Sequence, residues 1–110
     1  MPRCLIALAA VAVVLHGSIG PAAAGPRPVT HTVTIEGTQF QPATLTVRLG
    51  DSIVWANKDP FPHTATATAG GFDSAQIAPG GSWKYRTRKK GEVAYVCSLH
   101  PTMKAVLNVK

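Results

Sequence analysis

An all-β domain, built as an antiparallel sandwich or small barrel of short strands, is the fold class that the 110-residue sequence predicts. Three observations carry it. Apolar residues recur at every second position in six separate runs, the period of a half-buried strand. Clusters of glycine, proline, asparagine and aspartate separate those runs. No stretch of ten or more residues repeats with the 3.6-residue period of a helix.

The first run is "VTHTVTI", in which Val29, His31, Val33 and Ile35 share one face and Thr30, Thr32 and Thr34 the other. "TLTVRL" follows with Leu45, Val47 and Leu49, then "SIVWAN" with Ile53, Trp55 and Asn57. "SWKYRT" alternates Trp83, Tyr85 and Thr87 with Lys84, Arg86 and Arg88, which places the cations on an outward face. "EVAYVC" and the terminal "KAVLNVK" complete the set. The turn segments between them are "EGTQFQP", "LGD", "NKDPFP", "AGGF", "APGG" and "KKGE". A hydrophobic fraction of 45% over this length supports one modest core and no second domain.

Residues 1–24 read as a secretory leader and 25–110 as the folded domain. Arg3 supplies the basic start, Leu5 to Leu15 the short apolar stretch, and the alanines at 22–24 a cleavage site. The apolar stretch is too short to span a bilayer, which takes about 20 residues, so no membrane span is expected in the mature chain. Cys4 precedes the apolar stretch, where it could not serve as a lipid anchor after cleavage. Removing 24 of the 110 residues leaves 86, with Cys97, Met103 and three histidines, His31, His63 and His100. Loss of Arg3 lowers the formal charge from +6 to +5. An exported basic domain seldom meets nucleic acid, so the charge is read as solvated surface or as steering for an acidic partner.

A single cysteine in an exported chain cannot form an internal disulfide, so Cys97 calls for burial or a metal. A metal explains it better, because the mature chain's one thiol and one thioether fall together in "CSLHPTM", a C-x2-H-x2-M arrangement after a strand. Cys97 would end the strand while His100 and Met103 occupy the following loop. Closing the site needs a fourth ligand, and His63 in "DPFPHTATA" is the best candidate, on a loop stiffened by Pro60 and Pro62. His31 sits on an apolar strand face away from turns and reads as a packed or rim residue. One thiolate, two imidazoles and a thioether suit copper. Zinc gains little from methionine, and iron–sulfur clusters need more cysteines. A Cys97–His100 nucleophile and base would lack both a third orienting group and room for a cleft, so an enzyme is not expected.

The segments "FPHTATA" and "FDSAQIAPGGSWKYRTRKKGEVAYVCSLHPTMKAVLNV" resemble the small blue copper proteins, the cupredoxins of plastocyanin, pseudoazurin and amicyanin type. The resemblance runs from Val33 onward. It implies an eight-stranded antiparallel Greek-key β-sandwich with copper near one pole, His63, Cys97 and His100 as equatorial ligands and Met103 as the axial one. Pro62 and Ser98 match residues that flank the ligands in that family. Thr64 stands where the family commonly has an asparagine that ties the ligand loops together; its backbone N–H could still reach the thiolate, but the shorter hydroxyl would have to rebuild the side-chain clamp. Leu99 replaces a proline, which frees the N–H of 99 or 100 to bond the sulfur.

The function that follows is a periplasmic carrier passing single electrons between redox partners, through a Cu(I)/Cu(II) centre with no open ligand position. The carrier is expected to be a monomer. Transient partners, acidic ones among them, would dock on an apolar patch of Phe61, Pro62, Leu99 and Pro101 around His100. The alternative is a periplasmic copper-binding protein for storage, delivery or sensing, which would favour exposed, exchangeable ligands.

Overall fold

The computed structural model describes residues 9–17 and 26–110. The expected leader falls largely outside them, as does the boundary at 24/25, and residues 9–17 form neither helix nor strand. Among the described residues no helix is long and apolar enough to cross a membrane.

Eight strands form in the described residues: β1 (Thr30–Ile35), β2 (Phe40–Gln41), β3 (Thr44–Val47), β4 (Ser52–Asn57), β5 (Thr66–Ala67), β6 (Ser82–Arg86), β7 (Gly91–Cys97) and β8 (His100–Val109). They stack as two four-stranded sheets, β2-β1-β4-β6 and β3-β8-β7-β5. The alternation seen in the sequence decides which side chains enter the space between them. Val33 and Ile35 of β1, Ile53 and Trp55 of β4, Tyr95 of β7, and Leu107 and Val109 of β8 are all buried there. Lys84, Arg86 and Arg88 are exposed and Trp83 and Tyr85 half-buried, as the pattern of "SWKYRT" requires.

The sheets are mixed, where the sequence predicts antiparallel pairing throughout. β1 pairs with β4, and β3 with β8, in parallel register, while β4–β6, β5–β7 and β7–β8 are antiparallel. After β1 and β2 the chain crosses to the other sheet for β3 and returns as β4 beside β1, running the same way. Period-two patterning reports the buried face of a strand but not the direction of its neighbour.

Strand direction also sets the poles of the sandwich. Asn57 ends β4 and Cys97 ends β7 at one pole, where Asn57 N–H bonds Gly81 O and its amide side chain donates to Phe61 O (2.9 Å) and Ile77 O (3.0 Å). At the other pole β4 starts at Ser52, paired with Arg86, and β7 starts at Gly91. Asp51 closes that end. It accepts bonds from the N–H groups of Val29 (2.9 Å) and Arg48 (3.0 Å) and from His31 Nε2 (2.9 Å), which drive its pKa down to about 2 despite burial. His31 is therefore a rim residue paired with a carboxylate, as expected.

Candidate metal centre

Cys97 ends β7 at a register irregularity between Val96 and Cys97, and after the two-residue turn Ser98–Leu99 the chain re-enters the sheet with His100 opposite Cys97. The sequence places His100 and Met103 in a loop; both instead belong to β8. Extended geometry continues because the turn is short enough for residue 100 to resume pairing at once. Met103 is buried and shares the inward face of β8 with Ala105 and Leu107.

His63 reaches the same pole from a separate loop. It is pinned by an isolated bridge to Ile77, its N–H bonding Ile77 O (3.2 Å) and its C=O accepting from Ile77 N–H (2.7 Å). The Asn57 side chain holds the carbonyls on either side of this loop, at Phe61 and Ile77. His63 is entirely buried, as is Cys97, and His100 is half-buried.

The nitrogen and sulfur atoms that these three residues offer lie within 4.8 Å of one another. Cys97 Sγ is 3.6 Å from His63 Nδ1 and 3.7 Å from His100 Nδ1, and the imidazole centroids are 5.1 Å apart. Two ligands sharing an ion at about 2.0–2.3 Å from each keep such a separation. The atoms thus fit a metal, and the donor set of thiolate and imidazole beside a buried thioether is soft enough for copper.

Two surrounding groups hold this geometry. Thr64 N–H donates to Cys97 Sγ (3.3 Å), and Thr64 Oγ1 accepts from Ser98 N–H (2.8 Å) and lies 3.0 Å from Ser98 Oγ. The hydroxyl has rebuilt the clamp between the two ligand loops, so the expectation raised by an asparagine-to-threonine difference is met. The sulfur's N–H partner is residue 64, one of the donors expected for it, and the backbone N–H groups of residues 99 and 100 donate no bond to it.

The second group is Asp59, which the sequence reading did not single out. Its carboxylate accepts from His63 Nε2 (2.7 Å), Gly37 N–H (2.7 Å) and Thr38 N–H (2.9 Å). Burial pulls its pKa up, but the bonds from Thr38, His63 and Gly37 outweigh that and hold it below the usual carboxylate value. The ionised carboxylate accepts a hydrogen bond from Nε2–H, which leaves the Nδ1 lone pair of His63 facing the sulfur. The only signal in the sequence is an aspartate four residues before a histidine, indistinguishable from an ordinary turn residue.

Around this pole lie Phe61 and Leu99, 39% and 44% exposed. The Phe61 ring centroid is 5.1 Å from that of His63 and 5.9 Å from that of His100.

Comparison with known proteins agrees with this architecture. Residues 5–109 match the family model described as a cupredoxin-like domain. The chain belongs to the cupredoxin-like family. It is similar to chloroplastic plastocyanin from Tetradesmus obliquus, 35% identical over 72 residues that span 56% of this chain and 50% of that protein. Plastocyanin from Scenedesmus fuscus is 28% identical over 72 residues, 56% of this chain and 74% of that one. The chain thus spans about half the length of the first of these relatives.

Among solved structures, a Cu(I) form of an amicyanin variant superposes with a TM-score of 0.70 at 21% identity, covering 74% of this chain and 82% of that one. Copper-containing nitrite reductase from Thermus scotoductus gives 0.68 at 28% identity, over 84% of this chain but 24% of the enzyme.

Proposed function

We propose that this protein is an exported single-electron carrier, with His63, Cys97 and His100 as equatorial ligands of one copper ion and Met103 as its axial ligand. The observation that carries the reading is the convergence of one sulfur and two Nδ1 atoms within 4.8 Å inside a largely buried pole. Bound there, copper supplies a one-electron Cu(I)/Cu(II) couple.

The chain's own residues supply everything else. The Asp59 carboxylate and the Thr64 clamp hold His63 and Cys97 in place through bonds of the chain itself, so little rearrangement is needed when charge changes. Burial of His63, Cys97 and Met103 excludes water and leaves no place for a substrate, which favours a carrier over an enzyme. The resemblance to nitrite reductase covers 24% of that enzyme and is read as likeness of one domain. Burial also disfavours storage or delivery, which would need exchangeable ligands.

Electrons would enter and leave through His100, whose apolar surroundings of Phe61 and Leu99 suit a brief encounter with a redox partner over a small area. Arg86 to Lys90 lie near the opposite pole, about five residues or roughly 17 Å along the strands from Asn57. They would steer an acidic partner through long-range potential, screened beyond about 8–10 Å in physiological salt, rather than by contact at the patch. The reading includes cleavage of a leader at 1–24, periplasmic residence and a monomeric state.

Absorption and voltammetry of the purified copper protein test it. An intense band near about 600 nm with a reversible one-electron wave is expected. Cys97→Ser should lose the band, while Met103→Leu should keep it and raise the potential. A colourless protein that surrenders Cu(I) to a chelator would overturn the carrier reading in favour of trafficking.

A further inference from the structure

A cavity between the sheets lies away from the metal centre. It has a volume of about 400 Å³, within the range of small-ligand pockets. Its origin is a gap between the two sheets. β5 has only two residues and pairs with β7 at Val96 and Tyr95 alone. Thr68 N–H then reaches Ala94 O (3.0 Å), after which the chain turns away through Gly70 (φ 83°) and Gly71 (φ 114°). The first residues of β7 therefore have no strand on that side. β6 pairs with β4 on one side only, so its other edge is free as well.

Between these edges the cavity has an aromatic and aliphatic floor of Phe72, Tyr85, Val93 and Leu107. The Phe72 and Tyr85 rings are 4.9 Å apart at 39°, leaving an angled wall against which a further ring can pack. Lys89 and Lys90, on the connection from β6 to β7, line the cavity and are exposed. Glu92 also lines it, so cations outnumber the anion two to one. Among the described residues the carboxylates of Asp51 and Asp59 meet histidines, and no lysine or arginine has a carboxylate partner. The positive charge here is unspent.

We propose that this cavity binds a small aromatic carboxylate, with its ring against Phe72 and Tyr85 and its anionic group at Lys89 and Lys90. A flat ring matches the angled wall, and a neutral ligand would leave the paired cations without use. The cavity is independent of copper. Val93 lies four residues before Cys97, roughly 13 Å along the strand, so ligand and metal do not share contacts.

The test is an amide NMR titration of the full chain, copper-loaded and reduced, with sodium 2-naphthoate, 2-naphthylmethanol and sodium sulfate as probes. Naphthoate is expected to shift the amides of Gly70, Gly71 and Val93 saturably and to leave those of Cys97 and His100 in place. The alcohol should bind at least about threefold more weakly, and so should naphthoate to Lys89→Ala/Lys90→Ala, as the loss of two exposed charge contacts implies. Sulfate alone should shift none of these amides. Val93→Phe should weaken both aromatic probes by filling the floor; should that variant fail to fold, the surface lysine variant still decides the matter.

No saturable shift by about 10 mM naphthoate, which would saturate a millimolar site, overturns the proposal. So does equal affinity for acid and alcohol, or indifference to the lysines. Shifts of the same amides on raising protein concentration alone would show that a second copy occupies the gap, and would overturn it too. A chain that failed to bind copper could be titrated in the same way, so the two readings fail separately.

Discussion

Replacing Asp59 with alanine removes one acceptor from three hydrogen bonds at once. His63 Nε2 is fully buried and loses its 2.7 Å partner, and no solvent reaches it there. An orphaned buried donor costs about 1–3 kcal/mol. The Gly37 and Thr38 N–H groups sit in a turn that water can partly reach, so their loss adds roughly 1 kcal/mol. Thr38 is also held at φ 56°, a left-handed conformation that a β-branched residue rarely adopts and that the bond to Asp59 helps to hold. The expected destabilisation is about 3 kcal/mol, read by chemical denaturation of the metal-free protein. With His63 no longer oriented, copper affinity should fall about 10–100-fold in a chelator competition. Asp59→Asn keeps the shape and an acceptor oxygen without the charge, and should recover roughly half of the stability, since neutral hydrogen bonds are about half as strong. If Asp59→Ala stayed within about 0.5 kcal/mol of the parent and bound copper within about threefold, the positioning role argued for this carboxylate would be wrong.

Two further outcomes follow from contacts at the two poles. Thr64→Val keeps the backbone N–H that meets Cys97 Sγ but leaves Ser98 N–H without its 2.8 Å acceptor, so denaturation should show a loss of about 1–2 kcal/mol, whereas Thr64→Ser should retain most of it. At the other pole Asp51 has a folded pKa of about 2 against an ordinary 3.8, lowered chiefly by Val29 N–H and then by His31 and Arg48. A depressed carboxylate pKa stabilises the fold fully above about pH 4 and loses that effect as pH falls toward 2. Denaturation midpoints should therefore drop across that window, and Asp51→Asn should flatten the drop; an unchanged slope would count against the depressed pKa of Asp51.

Much of the architecture is legible because a strand advertises its buried face locally. Val33, Ile35, Ile53, Trp55, Leu107 and Val109 are all found inside, as alternation predicts. β2 and β5 escape notice because two residues cannot display a period, and both lie in segments rich in turn formers or threonine and alanine. The parallel pairs β1–β4 and β3–β8 escape for another reason: neighbour and direction are properties of chain crossing, not of any one segment. Cys97, His100 and Met103 stand out because rare chemistry is concentrated in seven positions. Asp59 does not, because an aspartate before proline looks the same whether it closes a turn or orients a ring.

The groups that escape notice bind the distant parts of the site together. Cys97 and His63 are 34 residues apart, and Thr64 joins their loops, its N–H to Sγ and its Oγ1 to the N–H and the hydroxyl of Ser98. Asp59 then links His63 to the β1–β2 turn on the opposite sheet. None of these bonds involves an ion. The polar contacts that close this pole of the sandwich are therefore the same ones that aim the sulfur and the His63 imidazole at a common point. A fixed second layer of this kind is what the proposed carrier needs, because a centre that accepts and releases charge must do so with little movement of its ligands.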